Sequence, residues 1–274
     1  MTTTPEQTPE HDAPAAEALA AAPAPRTAAP HTAGTGRTAA ATPEARTVEI
    51  PGVPNVRDLG GLEAAGGTIR RGLLLRSAAF EDLAPQGADV LVRLGVRTII
   101  DLRLPAERAA RPSRVHGFSG LAGVAEVRIP LVPDFEGSPD TAEGSYVFMV
   151  ERGAPNIGAV IARLAEPGSL PAIVHCAAGK DRTGLVVAAL LSTLGVPIAQ
   201  VHADFLRSNE ALGERLVYPA QASALDAALA RMAETAGSVQ GFLERNGVAP
   251  QALAALHARL LEQPSGTPLP SVPA

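Results

Sequence analysis

The chain's only cysteine, Cys176, stands six positions before Arg182 in the stretch His175-Cys176-Ala177-Ala178-Gly179-Lys180-Asp181-Arg182-Thr183-Gly184. A thiolate is a strong nucleophile, and a guanidinium fork holds two phosphate oxygens at once, so this pair suits phosphoryl transfer. Folding must bring both to one point. Ahead of the stretch, Ala172-Ile173-Val174 follows Pro171 and reads as a buried strand; behind it, Leu185 to Leu191 reads as a buried helix. A tight loop between strand and helix aims backbone N–H groups and the positive end of the helix dipole at one place, where an anion such as phosphate fits. Beside those donors Cys176 is expected to be a thiolate. The competing reading is a small buried hydrophobe. Cys-x5-Arg alone decides little between them; the complete stretch in its strand–helix setting favours the reactive thiol.

Each loop residue has a task under this reading. Ala177, Ala178, Gly179 and Lys180 are expected to bind substrate, with Gly179 letting the backbone bend so that the amides converge. Thr183 offers a hydroxyl to the departing sulfur. His175 either orders the loop through its ring nitrogens or is a satisfied buried histidine. Lys180 either pairs with a second phosphate or is a solvated rim lysine.

The flanking sequence supplies the scaffold. Leu73-Leu74-Leu75 is a strand, Pro85 to Leu94 a helix stopped by Gly95, and Val96 to Leu102 a central strand. Val127-Arg128-Ile129 is a shorter strand, Pro130 to Gly144 a loop, and Ile157 to Leu164 a short helix. The helix after the loop ends at Leu194-Gly195, and Pro197 opens another with Ile198, Val201, His202, Phe205 and Leu206 on one face. Beyond Asn209 the pattern is helical, with breaks near Pro219, Gly237 and Gly247, and its apolar spacing (Leu225, Ala228, Leu229, Met232) favours core packing over a lid. Strands alternating with helices predict an α/β domain with a central, mainly parallel sheet flanked by helices and a helical C-terminal part. Residues 1–46 and 263–274 are Ala/Pro-rich, too poor in large apolar groups to offset chain entropy, and are expected to be disordered around a domain spanning 47–262.

Composition narrows the classes further. The 46% hydrophobic content of the 274 residues supports a sizeable core, and the net charge of −5 argues against a nucleic-acid partner. A single cysteine allows no internal disulfide and suits the cytoplasm. No stretch reads as a membrane span or export signal, and the scattered histidines predict neither metal nor cofactor.

His-Cys-x5-Arg-Thr-Gly resembles the signature of the cysteine-dependent protein tyrosine phosphatases, and the full form here resembles their bacterial tyrosine/serine branch. Asn55 to Gly61 (Asn-Val-Arg-Asp-Leu-Gly-Gly), Asp101-Leu102-Arg103 and Phe205-Leu206-Arg207-Ser208-Asn209 match that branch's other motifs in order. The resemblance implies a tyrosine-phosphatase-like fold and metal-free hydrolysis of phosphotyrosine through a phosphocysteine, with phosphoserine/threonine and phosphoinositides as further substrates. Cys176 would be the nucleophile and Arg182 the phosphate clamp. The general acid would be Asp181, implicated in the branch, or Asp134, in the loop where the superfamily carries a mobile acid. The tryptophan usual before that acid is absent, and Asp181 is favoured; a salt bridge to Lys180 or Arg182 is its bland alternative. The three outer motifs are expected to serve structure. Two other classes compete: a phosphate-recognition module without turnover, and a rhodanese-like sulfurtransferase, which Gly179 to Gly184 running into a helix disfavours.

Overall fold

The computed structural model describes residues 46–262. A five-stranded sheet runs in the order β1 (Arg57–Asp58), β4 (Leu74–Ser77), β7 (Ala172–His175), β5 (Thr98–Asp101), β6 (Ala125–Arg128). β4, β7, β5 and β6 are parallel and β1 is the antiparallel edge. The mainly parallel α/β prediction is thus met. Side chains alternate across the sheet, as strand geometry dictates. Leu75, Ile99 and Ile173 face a smaller core under helix α1 (Pro85–Arg93), while Leu74, Ile100, Ala172 and Val174 face the larger one. A satellite sheet pairs β2 (Glu63–Ala64), β3 (Gly67–Ile69) and β8 (Leu261–Glu262), closing the C-terminal end of the described chain onto the β2–β3 hairpin.

The larger core is helical. Helix α4 (Asp181–Thr193) is buried from Arg182 to Leu191, so it is apolar on every side because it is covered on every side. Around it lie α3 (Ala142–Ala165), α5 (Ile198–Leu212), α6 (Ala222–Ala236), α7 (Val239–Arg245) and α8 (Pro250–Leu260). Leu225, Ala228 and Met232 of α6 are fully buried in this core. None of the helices among the described residues is long and apolar enough to cross a membrane.

Three expectations need correction. The loop drawn over Pro130 to Gly144 and the short helix over Ile157 to Leu164 give way to α3, which starts at Ala142 and runs 24 residues through Pro155. An internal proline normally breaks a helix; here tertiary packing overrides it. Tyr146, Met149, Val150, Gly153, Ile157, Val160, Ile161 and Leu164 form one buried stripe, and Asn156 Nδ2 donates to Pro130 O at 2.9 Å. On α5, Ile198 is half exposed, and the inward face is Val201, Asp204, Phe205, Ser208 and Leu212. A salt bridge draws polar residues inside. The tails expected over 1–46 and 263–274 lie outside the described residues except at Arg46, which is buried against Asp204 at 2.9 Å.

Candidate active site

The loop from His175 to Lys180 leaves the C-terminal end of β7 between β4 and β5, the switch-point position where open α/β sheets bind ligands. It ends on α4, whose N-terminus has no side-chain cap, so its first N–H groups stay available. Gly179 is at φ 68°, and a Cβ there would come within 2.2 Å of Ser77 O. Only glycine fits that left-handed turn against β4. Cys176 is 2% exposed and begins the loop.

Arg182 lies on the first turn of α4, and its guanidinium is already held. Nη1 and Nη2 donate to Glu107 Oε2 and Oε1 at 2.5 and 2.7 Å, a fork-to-fork pair that fixes the plane of the group. Glu107 belongs to α2 (Pro105–Ala110) and also accepts from Leu104 N at 2.7 Å. Burial opposes the charged Arg182, but the Glu107 hydrogen bonds and the Cys176 sulfur outweigh it and raise its pKa. Burial likewise opposes the charged Glu107, and Arg182 pulls its pKa down. The sequence reading missed Glu107. Its position three residues beyond Leu104, in the first turn of a proline-opened helix, was the available signal.

The ring of Phe135 sits 5.6 Å from Arg182 Cζ and brings the Asp134 loop to the same place. Asp134 itself turns elsewhere: Oδ1 accepts from Glu136 N at 3.1 Å and lies 3.5 Å from Arg152 Nη2. Asp181 Oδ1 accepts from Tyr146 Oη at 2.8 Å and lies 3.5 Å from Lys180 Nζ. Burial and the Asp181 charge push the Tyr146 phenol well up, so Tyr146 keeps its proton and donates it.

Lys180 is 7% exposed and donates to Tyr218 O, so the solvated-rim reading is overturned. Thr183 Oγ1 is buried without a hydrogen-bond partner among the described residues and makes no bond to Cys176 sulfur. His175 is fully buried, with Nδ1 3.1 Å from Cys176 O, Nε2 3.9 Å from Asp101 Oδ2, and Phe80 edge-on to the ring. Burial lowers its pKa. Among the described residues no cluster of His, Cys, Asp and Glu could hold a metal ion.

The three outer motifs converge behind the loop. Asp101 Oδ2 accepts from Arg103 Nη2 at 2.8 Å, and Leu102 N donates to His175 O at 2.9 Å. Arg57 donates to Asn55 Oδ1 at 2.5 Å, Asp204 Oδ1 at 3.0 Å and Ser208 Oγ at 3.1 Å. Asp204 also pairs with Arg46 at 2.9 Å and Arg76 at 2.8 Å. Phe205 packs its ring where a side chain on Gly184 would stand, 2.7 Å from the added Cβ.

Burial resists ionisation of Asp204, yet Arg57, Arg76 and Arg46 hold its pKa far below the usual carboxylate range. Because the folded value is depressed, its contribution is complete above the unfolded pKa of about 3.9 and is lost as pH falls toward the folded value. Asp204→Asn is expected to cost about 3–5 kcal/mol at neutral pH by leaving buried guanidinium groups uncompensated. Urea melts from neutral pH to about pH 3 check this, since wild type should lose more stability over that acid range than the variant.

A family profile described as "Tyrosine phosphatase family" matches residues 48–262. The triple specificity protein phosphatase PtpB of Mycobacterium tuberculosis is 32% identical over 196 residues, covering 60% of this chain and 70% of that protein. A tyrosine-protein phosphatase of Nostoc commune is 28% identical over 215 residues, 68% of this chain and 73% of its own. A relative from Cupriavidus necator is 32% identical over 169 residues, 58% of this chain, and the chain spans 61% of that relative's length. Among solved structures, the core catalytic domain of the S. cerevisiae PP-IP phosphatase SIW14 aligns with TM-score 0.39 and 17% identity, over 57% of this chain and 82% of that one. A profile match running from Val48 to Glu262 takes in the loop, its scaffold and all the motifs behind it, and the chain therefore belongs to the tyrosine phosphatase family.

Proposed function

We propose that the protein is a phosphatase that hydrolyses phosphotyrosine in proteins or peptides through a phosphocysteine intermediate. The observation that carries this reading is the junction itself: buried Cys176 beginning a loop whose next residue, Ala177, is exposed, uncapped α4 N–H groups at the loop's end, and Arg182 oriented by Glu107. In the first step Cys176 thiolate attacks phosphorus in line and the ester oxygen departs. The loop amides and the free N–H groups of Arg182 hold the equatorial oxygens, where charge gathers. In the second step water displaces the sulfur and inorganic phosphate leaves. Ala177, Ala178, Gly179 and Lys180 contribute through the backbone, and Thr183 through a hydroxyl that has no other partner among the described residues. The chemistry needs Cys176 reduced, which suits the cytoplasm. PtpB is named for triple specificity; phosphoserine/threonine and phosphoinositides, which the resemblance of the motifs implies, are second candidates for this chain.

Asp181 is the better placed acid. It is the first residue of α4, directly after the loop and next to Arg182, and Tyr146 and Lys180 fix its orientation, whereas Asp134 points to Arg152 and Glu136. Asp181→Asn is expected to slow phosphate esters with poor leaving groups by about 10²-fold and to spare good ones. Asp134→Asn should give the smaller loss. Rates across an aryl phosphate series decide; the reverse order would transfer the role to Asp134.

The test of function is a side-by-side panel of phosphotyrosine and phosphoserine peptides and phosphoinositides, with rapid acid quench to trap the phosphoenzyme. Phosphotyrosine should turn over fastest, with label on Cys176. A wild-type protein that hydrolyses none of them is not a phosphatase.

A further inference from the structure

Every backbone carbonyl from His175 to Lys180 is engaged from outside the anion site. His175 O accepts from Leu102 N at 2.9 Å, Cys176 O lies 3.1 Å from His175 Nδ1, and Ala177 O accepts from Ala79 N at 3.0 Å. Ala178 O accepts from Asn55 Nδ2 at 2.9 Å. Arg76 Nη2 donates to Gly179 O at 2.8 Å and Lys180 O at 3.2 Å. Among the described residues the N–H groups of Ala177 to Lys180 donate to no protein acceptor.

In a planar trans peptide the carbonyl of one residue and the N–H of the next point in opposite directions. Anchoring the carbonyls on one side therefore turns the following N–H groups to the other, where they converge. We propose that Arg76 and Asn55, held in place by Asp204 and Arg57, are positioning residues that set the phosphate-binding amides by gripping the carbonyls behind them. The proposal rests on the phosphatase reading only for what the anion is.

The grip is built for rigidity. Arg76 is 1% exposed and its other arm, Nη1, is tied to Asp204 Oδ2 at 2.8 Å. Asn55, buried at φ 56°, is a left-handed position that asparagine tolerates, and Arg57 pins its side-chain oxygen at 2.5 Å. With Arg46, the cluster sets three guanidinium groups against the single carboxylate of Asp204. Donors oriented before the substrate arrives need no reorganisation during the reaction.

Calorimetric titration of inorganic phosphate, with turnover and thermal melting on the same preparations, tests this. Arg76→Met should weaken phosphate binding by about tenfold and lower kcat. Arg76→Lys keeps the charge, but one ammonium does not span Asp204 and both carbonyls, so it should not restore binding. Asn55→Ala frees Ala178 O and should weaken phosphate as well. Arg259→Ala is the stability control: Arg259 grips the carbonyls of Leu164, Ala165 and Glu166 at the end of α3, which precede the N-terminal end of β7 whereas the loop leaves its C-terminal end, and its loss should lower the melting temperature without touching phosphate affinity. The proposal is overturned if Arg76→Lys binds phosphate like wild type, or if Arg76→Met behaves like Arg259→Ala. Should Arg76→Met not fold, wild-type affinity in Asn55→Ala overturns it. A wild type that binds phosphate but turns nothing over ends the phosphatase reading and leaves the grip standing.

Discussion

Cys176→Ser is expected to cut aryl phosphate turnover by about 10⁴-fold or more while phosphate still binds. A serine hydroxyl stays protonated at neutral pH and needs a base to become a nucleophile. The imidazole next to it in sequence is turned to other groups, since His175 Nδ1 lies 3.1 Å from Cys176 O and Nε2 lies 3.9 Å from Asp101 Oδ2. The loop should not collapse, because its shape is held through its carbonyls by Leu102, Ala79, Asn55 and Arg76 rather than through the sulfur. Pre-steady-state assays on both proteins check the first half: wild type should release a burst of phenol and the variant none. Calorimetry checks the second. Residual turnover near wild type would remove Cys176 from the mechanism.

Arg182→Lys should lower kcat/KM for the same substrate by about 10²–10³-fold. The guanidinium gives two N–H groups to Glu107 and keeps others for phosphate, so Glu107 sets its plane while it works. An ammonium has no plane to set, and it would have to choose between Glu107 and the substrate. Glu107, whose pKa Arg182 pulls down against burial, would be left partly buried with a weaker partner. Glu107→Gln should lose less than Arg182→Lys, since the guanidinium remains and only its alignment slackens. Steady-state kinetics on the two variants order them; equal losses would mean that Glu107 does more than orient Arg182.

How much of this was legible beforehand differs by element. β5, β7 and α4 announce themselves, because a buried β-branched run and an all-apolar run allow few other structures. α3 does not. Pro155 and Gly153 interrupt its propensity, and only contact with the segment at Pro130 and Leu131 shows why both are tolerated: Asn156 bonds Pro130 O, and a Cβ on Gly153 would stand 2.6 Å from Leu131 O. Asp204 goes unnamed on α5, and Ser208 enters only as part of a motif and not as an inward-facing residue, for the opposite reason. They are polar on a face that pattern reading reserves for apolar residues, and their partners, Arg46, Arg57 and Arg76, lie more than a hundred residues away.

The sequence by itself determined the reacting group and its setting: one cysteine, one arginine six positions on, and a glycine where the chain must turn, between a strand and a helix. These are local facts, fixed by residue type and spacing over ten positions. Which groups surround them is not local. Glu107 reaches Arg182 across 75 positions, Tyr146 reaches Asp181 across 35, and Arg76 reaches Gly179 across 103. Only the assembled sheet, with β7 inserted between β4 and β5, puts those side chains against the loop, because strand order is set by packing that no single stretch encodes.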